Sequence, residues 1–251
     1  SIQKLHTRDT NLITLCEDKC LKILANKDAL FNADGKSQLV ATTSVLGQTT
    51  PYVGEYGISK NPESFASESY RAYFSDKVRG VIIRLSADGI TPISNHGMKD
   101  WFRDHLKLSN QIIGSHDDRQ SEYNITLKGG ISKTLSFKED VKGWVSFKSF
   151  IPEDGLSCAN EYYTYLDGNL WKHHQEFSIP PTNPPTLHPR NTFYSQPLIK
   201  TSFEVILNDA PGSIKSFNTL NYEGTQSKID QFIEGSVYTG GPIYTDGEYY
   251  N

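Results

Sequence analysis

A recurring turn constrains the fold of this chain more than any other feature of its sequence. Strand-like runs are joined by short segments that begin with Asp and end with Gly. Asp can hydrogen-bond the backbone of its own turn, and Gly accepts the positive φ that closes a hairpin. The pattern predicts hairpin turns at Asp76–Gly80, Asp88–Gly89, Asp140–Gly143, Asp154–Gly155 and Asp167–Gly168, with related versions over 31–36 and 205–217.

Repeated hairpins predict a mainly β fold built from antiparallel sheets. Such a pattern suits a β-propeller or another multi-hairpin assembly. The 14 Tyr, 12 Phe and 19 Gly in the sequence agree, since strands favour aromatic residues and turns favour Gly. One short amphipathic helix is expected near residues 96–108, with Ser94 or Asn95 as its cap. Its apolar stripe consists of Met98, Trp101, Phe102, His105 and Leu106.

Strict alternation in two further strands predicts which side chains share a face. Val145 and Phe147 are expected on one face, opposite Trp144 and Ser146. A later strand is expected to align Phe203, Val205 and Leu207.

The chain is expected to comprise a hairpin-repeat region, an arm and a tail. Residues 1–179 hold the hairpins, 180–200 form a proline-rich arm or loop, and 201–251 add further strands and a Gly- and Thr-rich tail. Proline lacks the donor that a sheet ladder needs, so the arm stays outside a sheet. Its apolar Leu187, Phe193 and Tyr194 then either dock on a neighbouring subunit or fold back over their own domain. The start at Ser1 and the tail suit a piece of a longer chain.

Catalytic and metal-binding signatures are not found in the sequence. The segment 116–122 combines carboxylates with His, which suits acid–base chemistry or a hard cation, but it also fits a turn between two strands. Cys16 and Cys20 are interpreted as buried thiols, and the pair His173–His174 as strand-end packing. No metal or cofactor is therefore expected.

Four aromatic side chains form a candidate surface for glycans or protein partners. They are Tyr162, Tyr163, Tyr165 and Trp171, which could stack on sugars or fill an interface and a core. The sequence leaves these readings open.

Five segments resemble large virion structural proteins of tailed bacteriophages. They are residues 57–66 (GISKNPESFA), 73–80 (YFSDKVRG), 85–90 (LSADGI), 142–150 (KGWVSFKSF) and 220–224 (LNYEG). The resemblance covers residues 55–230 and implies a tail component of the nozzle, muzzle or baseplate kind, partly built from propeller-like sheets. It implies no catalytic residues.

The expected function is therefore that of a structural protein in a phage tail, which binds copies of itself in a ring and neighbouring tail proteins. Its expected location is the virion, after synthesis in the host cytoplasm. A net charge of −4 argues against general nucleic-acid binding, and no apolar run is long enough for a membrane span. The alternatives are a tail module that binds host glycans and, less favoured, a glycan-degrading enzyme that uses Asp117, Asp118 or Asp140.

Overall fold

The structure is a computed structural model that describes residues 1–31, 37–175, 191–197, 202, 204, 211–216, 228–229 and 248–249. It divides the chain into two compact units, Ser1–Thr201 and Ser202–Asn251.

Four antiparallel sheets follow one another along the first unit. Sheet 1 consists of β1 (Ile2–Arg8), β2 (Asn11–Cys16), β3 (Cys20–Phe31) and β4 (Ser37–Pro51). Sheet 2 consists of β5 (Ala66–Ser67), β6 (Ala72–Asp76), β7 (Val81–Ser86) and β8 (Gly89–Pro92). Sheet 3 consists of β9 (Ser109–Asp117), β10 (Glu122–Gly129), β11 (Lys133–Lys138) and β12 (Gly143–Lys148). Sheet 4 consists of β13 (Asp154–Cys158), β14 (Glu161–Leu166) and β15 (Asn169–Lys172).

Within each sheet, strands that follow one another along the chain pair with each other. Strands make up 53% of the structure, so the prediction of a mainly β, multi-hairpin antiparallel fold is confirmed. Consecutive four-stranded meanders are also the topology of propeller blades. A propeller stays a prediction.

The predicted turn at Asp76–Gly80 is confirmed. Asp76 pairs with Val81, and the N–H of Gly80 donates to the carbonyl oxygen of Asp76 at 2.9 Å. Gly80 has a φ of +71°, the left-handed conformation that Gly adopts without a steric penalty. Asp76 is fully buried, and its carboxylate accepts from the Arg79 N–H and guanidinium within the same turn.

Two other predicted turns differ from the structure. Asp154 and Gly155 begin strand β13, where Gly155 pairs with Thr164, so the prediction of a turn there is wrong. In the β11–β12 turn the positive φ belongs to Lys142 (+49°) and not to Gly143, which already pairs with Lys138. The core of the weaker version at 31–36 lies outside the described residues, although Phe31 and Ser37 on either side do pair.

Sheet 2 is the central layer of the unit because its strands are apolar on both faces. Phe74 of β6 is fully buried in a cluster with Ile13 and Leu15 of sheet 1. The adjacent Tyr73 points to the opposite face and stacks on Tyr123 of sheet 3, with ring centroids 4.7 Å apart. Burying each such aromatic side chain stabilises the fold by about 1.5–3 kcal/mol.

The predicted helix is present as α1 (Lys99–Leu106). Along the chain it follows the 3-10 turn Ile93–Asn95 and precedes β9, the first strand of sheet 3. Phe102 and Leu106 are buried in the cluster shared by sheets 2 and 3. The predicted cap is wrong: the helix begins after Met98, which makes no side-chain cap, because Ser94 and Asn95 belong to the 3-10 turn Ile93–Asn95.

A β-bulge in β12 overturns the strict alternation that was predicted for this strand. Ser136 pairs with Ser146 while the next residue, Phe137, pairs with Trp144, so Val145 is the extra residue. Trp144 and Phe147 therefore share the face that packs against α1. The proposed face of Phe203, Val205 and Leu207 lies outside the described residues.

The second unit contains two described strands, β16 (Lys228–Ile229) and β17 (Glu248–Tyr249), which pair antiparallel.

Candidate interaction surfaces

The contact between sheets 3 and 4 consists largely of hydrogen-bonded hydroxyl groups. Tyr162 of β14 is fully buried, and its hydroxyl shares a 2.7 Å hydrogen bond with that of Ser115 in β9. The Ser157 hydroxyl of β13 likewise donates to the carbonyl oxygen of His116 in β9 at 2.8 Å. Buried polar groups that are hydrogen-bonded in this way fix the relative position of the two sheets.

Two adjacent histidines extend this contact. His173 is 7% exposed, and its Nε2 lies 2.7 Å from the Thr164 hydroxyl. Burial, together with the neighbouring His174, lowers the pKa of His173 to about 4, so its ring is neutral at pH 7. His174 points the other way, and its Nε2 lies 2.6 Å from the Asp117 carboxylate of sheet 3.

Both carboxylate oxygens of Asp117 are hydrogen-bonded. One oxygen contacts His174, and the other accepts from the backbone N–H groups of Arg119 and Gln120 at 3.1 and 3.2 Å. Burial alone would raise its pKa, but these hydrogen bonds and the nearby His174 outweigh burial and lower the pKa. Segment 116–122 is thus a hairpin turn whose first carboxylate fastens sheet 4 to sheet 3, which confirms the turn interpretation.

The other residues considered for chemistry lie apart from one another. Asp118 is half exposed beside His116, with Oδ1 2.8 Å from Nδ1, and Asp140 is exposed in the β11–β12 turn. Cys16 and Cys20 flank the β2–β3 turn as buried free thiols, as predicted, and burial raises the pKa of Cys20 to about 12. Among the described residues, no three His, Cys, Asp or Glu side chains are placed to hold a metal ion.

The four predicted aromatic residues divide between the two faces of sheet 4. Tyr163 and Tyr165 point outward, away from sheet 3, because strand residues alternate and Tyr162 points inward. Trp171 pairs with Thr164 and so shares the inner face, where its ring lies 5.4 Å from that of Tyr194. A single platform of all four residues therefore does not exist.

The outward face of sheet 4 is apolar and exposed. We call it the fourth-sheet face, and it consists of Leu156, Tyr163, Tyr165 and Leu170. Leu170 is 57% exposed, Leu156 41% and Tyr165 37%. Glu161 and Lys172 lie on the same face and form an ion pair with an N–O distance of 3.1 Å. Asp154, which pairs with Tyr165 at the start of the edge strand β13, is exposed at the rim of the face and accepts a hydrogen bond from the Gly155 N–H. This face thus presents apolar groups to solvent, with one ion pair and one carboxylate beside them.

The expected arm residues Phe193 and Tyr194 pack on their own chain. The Phe193 ring lies 5.2 Å from Phe150, and the Tyr194 hydroxyl is 2.9 Å from that of Thr164. Of the two alternatives, this placement matches the one in which the residues fold back over their own domain, because the inner face of sheet 4 offers them an apolar site. Leu187 lies outside the described residues.

Sheet 1 presents a second apolar surface, on the side opposite sheet 2. Ile13 and Leu15 face sheet 2, so alternation and strand register place the remaining apolar side chains on the other side. We call this the first-sheet face, and it consists of Ile2, Leu5, Leu12, Leu21 and Ile23. Ile2 is 62% and Leu5 55% exposed, and a bulge between Ile2 and Lys4 brings them to the same side.

Strands β3 and β4 extend sheet 1 as a two-stranded ribbon. We define the ribbon as residues 25–31 and 37–46. The last β2–β3 pair is Asn11–Leu24, and no other described strand pairs with the ribbon. Leu39 (61% exposed) and Val40 (40%) are adjacent, so they lie on opposite faces. The sequence signal for this hairpin was the related turn predicted over 31–36, but the length of the two strands beyond sheet 1 was not predicted.

The first strand of each sheet lines a common cleft of about 430 Å³. Its walls include Lys4 of β1, Ala66 of β5, Gly114 of β9 and Gly155 of β13. The strands approach closely because two of these residues lack a side chain. A Cβ on Gly114 would lie 2.0 Å from the carbonyl oxygen of Ser64.

Comparison with known proteins adds no relative: no protein-family model matches the chain, and no curated protein matches it significantly. Within the described residues, no helix has the length and apolar character needed to cross a membrane.

Proposed function

We propose that this chain is a structural component of a tailed-phage virion, in the tail nozzle, muzzle or baseplate, and acts by binding other subunits. The observation that carries the assembly role is the pair of exposed apolar surfaces, the first-sheet face and the fourth-sheet face. Large apolar patches on soluble proteins mark interaction sites, because leaving them in water forgoes about 25 cal/mol per Å² of burial.

The ribbon supports the same role. A two-stranded hairpin is at best marginally stable in water, and this one exposes aliphatic side chains such as Leu39 and Val45. A neighbouring subunit that covers these side chains would stabilise the ribbon. The hydrogen bonds between sheets 3 and 4 support the fourth-sheet face from behind.

The assignment to a phage tail depends on the sequence resemblance across residues 55–230. The proposed partners are copies of the chain in a ring and neighbouring tail proteins, and the proposed location is the virion. This part of the proposal stands separately from the assembly role.

The test is to ask whether the chain is part of assembled particles. Mass spectrometry of gradient-purified virions should detect the chain in fixed ratio to other tail proteins, and antibodies against it should label the tail in electron micrographs. Free host-cell protein carried through the same purification is the control. Particles that lack the chain, or labelling of the head alone, would refute the assignment.

Glycan binding is the second candidate, favoured by the outward position of Tyr163 and Tyr165 on the fourth-sheet face. Aromatic rings can stack on the apolar faces of sugars. Titration with host-surface polysaccharide should then quench tyrosine fluorescence in the native chain and not in Tyr165→Ala. Equal quenching of both proteins, or no quenching, counts against this candidate.

A further inference from the structure

Sheets 1 to 4 pack face to face in the order of the chain, and we call this arrangement the row of sheets. Sheet 1 meets sheet 2 where Leu15 and Phe74 share a cluster, and sheet 2 meets sheet 3 at the Tyr73–Tyr123 stack. Sheet 3 meets sheet 4 where Tyr162 reaches β9. The row therefore begins with the first-sheet face and ends with the fourth-sheet face.

We infer that the fourth-sheet face of one copy packs on the first-sheet face of the next copy. The row of sheets then continues across the subunit boundary. The contact between subunits is the same face-to-face packing of two sheets that occurs within each chain. This inference rests on the proposed assembly role and specifies its surfaces. Because the two faces differ, the contact is head-to-tail, and repeated addition of copies forms a ring or a filament.

The charges on the two faces are compatible with this contact. The first-sheet face is made of aliphatic side chains, with the uncharged Thr7 and Thr49 beside them in the register of the strands. On the fourth-sheet face, Glu161 is neutralised by Lys172 and by Arg119 at 3.3 Å. Asp154 pairs with Tyr165 and so lies on the same face, but it begins the edge strand β13 and is therefore at the rim. Burying the centre of the face then leaves no isolated charge, the situation that would oppose association most strongly.

The area of the faces explains why the ribbon belongs to the contact. The fourth-sheet face limits the contact, because it has three strands of four to six residues. Strands about 4.8 Å apart and about 17 Å long then make a plane of about 250 Å², so the two faces bury about 500 Å². A ribbon about 10 Å wide and about 20 Å long adds about 200 Å² on each partner, which brings the total to about 900 Å². Interfaces below roughly 1,200 Å² are weak, so association is expected to depend on concentration.

The experiment uses the full 251-residue chain and one charged substitution on each face. Sedimentation velocity at increasing concentration should show oligomers of the native chain. Leu5→Glu and Leu170→Glu should each weaken association at least about tenfold, as expected for a charge placed in an apolar contact. Val78→Glu is the matched control and should associate normally, because Val78 is 69% exposed and lies in the β6–β7 turn, outside both faces.

Mixing the two variants identifies the head-to-tail geometry. Leu5→Glu retains an intact fourth-sheet face and Leu170→Glu retains an intact first-sheet face. An equimolar mixture should therefore form a dimer of one copy each that does not grow further. Leu39→Glu on the ribbon should weaken association several-fold; an unchanged value would remove the ribbon from the contact. Circular dichroism spectra and melting temperatures of all variants verify that they fold.

Three results would overturn the inference. The first is a native chain that stays monomeric at every concentration, and the second is association that neither face variant weakens. The third is loss of association in Leu170→Glu alone without rescue on mixing, because that result would indicate a symmetric contact between fourth-sheet faces. The proposed function is tested separately by the presence of the chain in purified particles. A chain found in particles but insensitive to both variants refutes only the inference.

Discussion

Lowering the pH should destabilise the inner face of sheet 4 through His173. This side chain is buried between the rings of Phe150 and Tyr162, at centroid distances of 4.8 and 5.0 Å, and holds the Thr164 hydroxyl. A proton on its ring would place a charge in this site beside His174. The Asp117 carboxylate offsets this cost only in part, and Lys148 adds to it.

The size of the effect follows from the difference in pKa between the folded and unfolded states. His173 has a pKa of about 4 in the fold and 6.5 when exposed, and each pH unit corresponds to about 1.36 kcal/mol. The unfolded chain binds the proton first, so stability is complete above pH 6.5 and declines as the pH falls towards 4. The loss is about 2 kcal/mol at pH 5 and approaches about 3 kcal/mol near pH 4.

Asp117 acts in a lower range of pH. Its pKa is below the usual 3.8, so the stability that it contributes is kept above that value and lost as the pH falls through its folded pKa. The interval from pH 6.5 to 4 therefore separates His173 from Asp117, while His6 of sheet 1, whose pKa burial also lowers, contributes equally to the native chain and its variants.

The substitution His173→Gln tests this reasoning. Glutamine stays neutral and can still hydrogen-bond Thr164, so the variant should lose less stability than the native chain between pH 6.5 and 4.5. Urea unfolding followed by tryptophan fluorescence at several pH values measures the free energy of unfolding. His96→Gln, at an exposed position, is the control and should retain the native pH dependence. If His173→Gln shows the same pH dependence as the native chain, the buried neutral histidine is not its cause.

Two pairs of glycines test the close approaches in the fold by urea unfolding. Gly80 and Gly89 both have positive φ, but only at Gly80 would a Cβ meet another backbone, that of α1 at 2.8 Å. Gly89→Ala should cost about 1–3 kcal/mol and Gly80→Ala at least about 1 kcal/mol more, so equal losses would contradict the close approach. Gly114→Ala should cost about 3 kcal/mol because of its contact with Ser64, whereas Gly143→Ala in the same sheet should be nearly neutral. Similar losses of unfolding free energy in Gly114→Ala and Gly143→Ala would show that β9 can move away from Ser64.

The hairpins could be predicted because turn chemistry is local. Asp167 and Gly168 form a two-residue loop between paired Leu166 and Asn169, and both have positive φ (51° and 72°). These are the dihedrals of the type I′ turn that Asp-Gly favours. At the β11–β12 turn the pattern predicts a positive φ at Gly143, which is wrong. Gly143 already pairs with Lys138 in the strand, so the positive φ falls on Lys142.

The division of the aromatic residues could not be predicted in the same way. Alternation separates Tyr162 from Tyr163, but only the packing of sheet 3 determines which of them is buried. The bond between Asp117 and His174 spans 57 residues, and no local pattern links positions so far apart. The bulge at Val145 likewise depends on how Trp144 and Phe147 meet the helix.

The two kinds of sheet contact explain why a chain with only 36% hydrophobic residues can stack four sheets. Sheets 1, 2 and 3 are joined by apolar clusters, whereas sheets 3 and 4 are joined mainly by hydroxyl, imidazole and carboxylate groups. Apolar contacts tolerate small shifts, but the two hydrogen bonds between sheets 3 and 4, at 2.6 and 2.7 Å, define one position. Sheet 4 is therefore held in a defined orientation while its aliphatic and tyrosine side chains remain on the outside. The proposed contact through Leu156, Tyr165 and Leu170 depends on that combination, because a face held by sliding apolar contacts would lose complementarity.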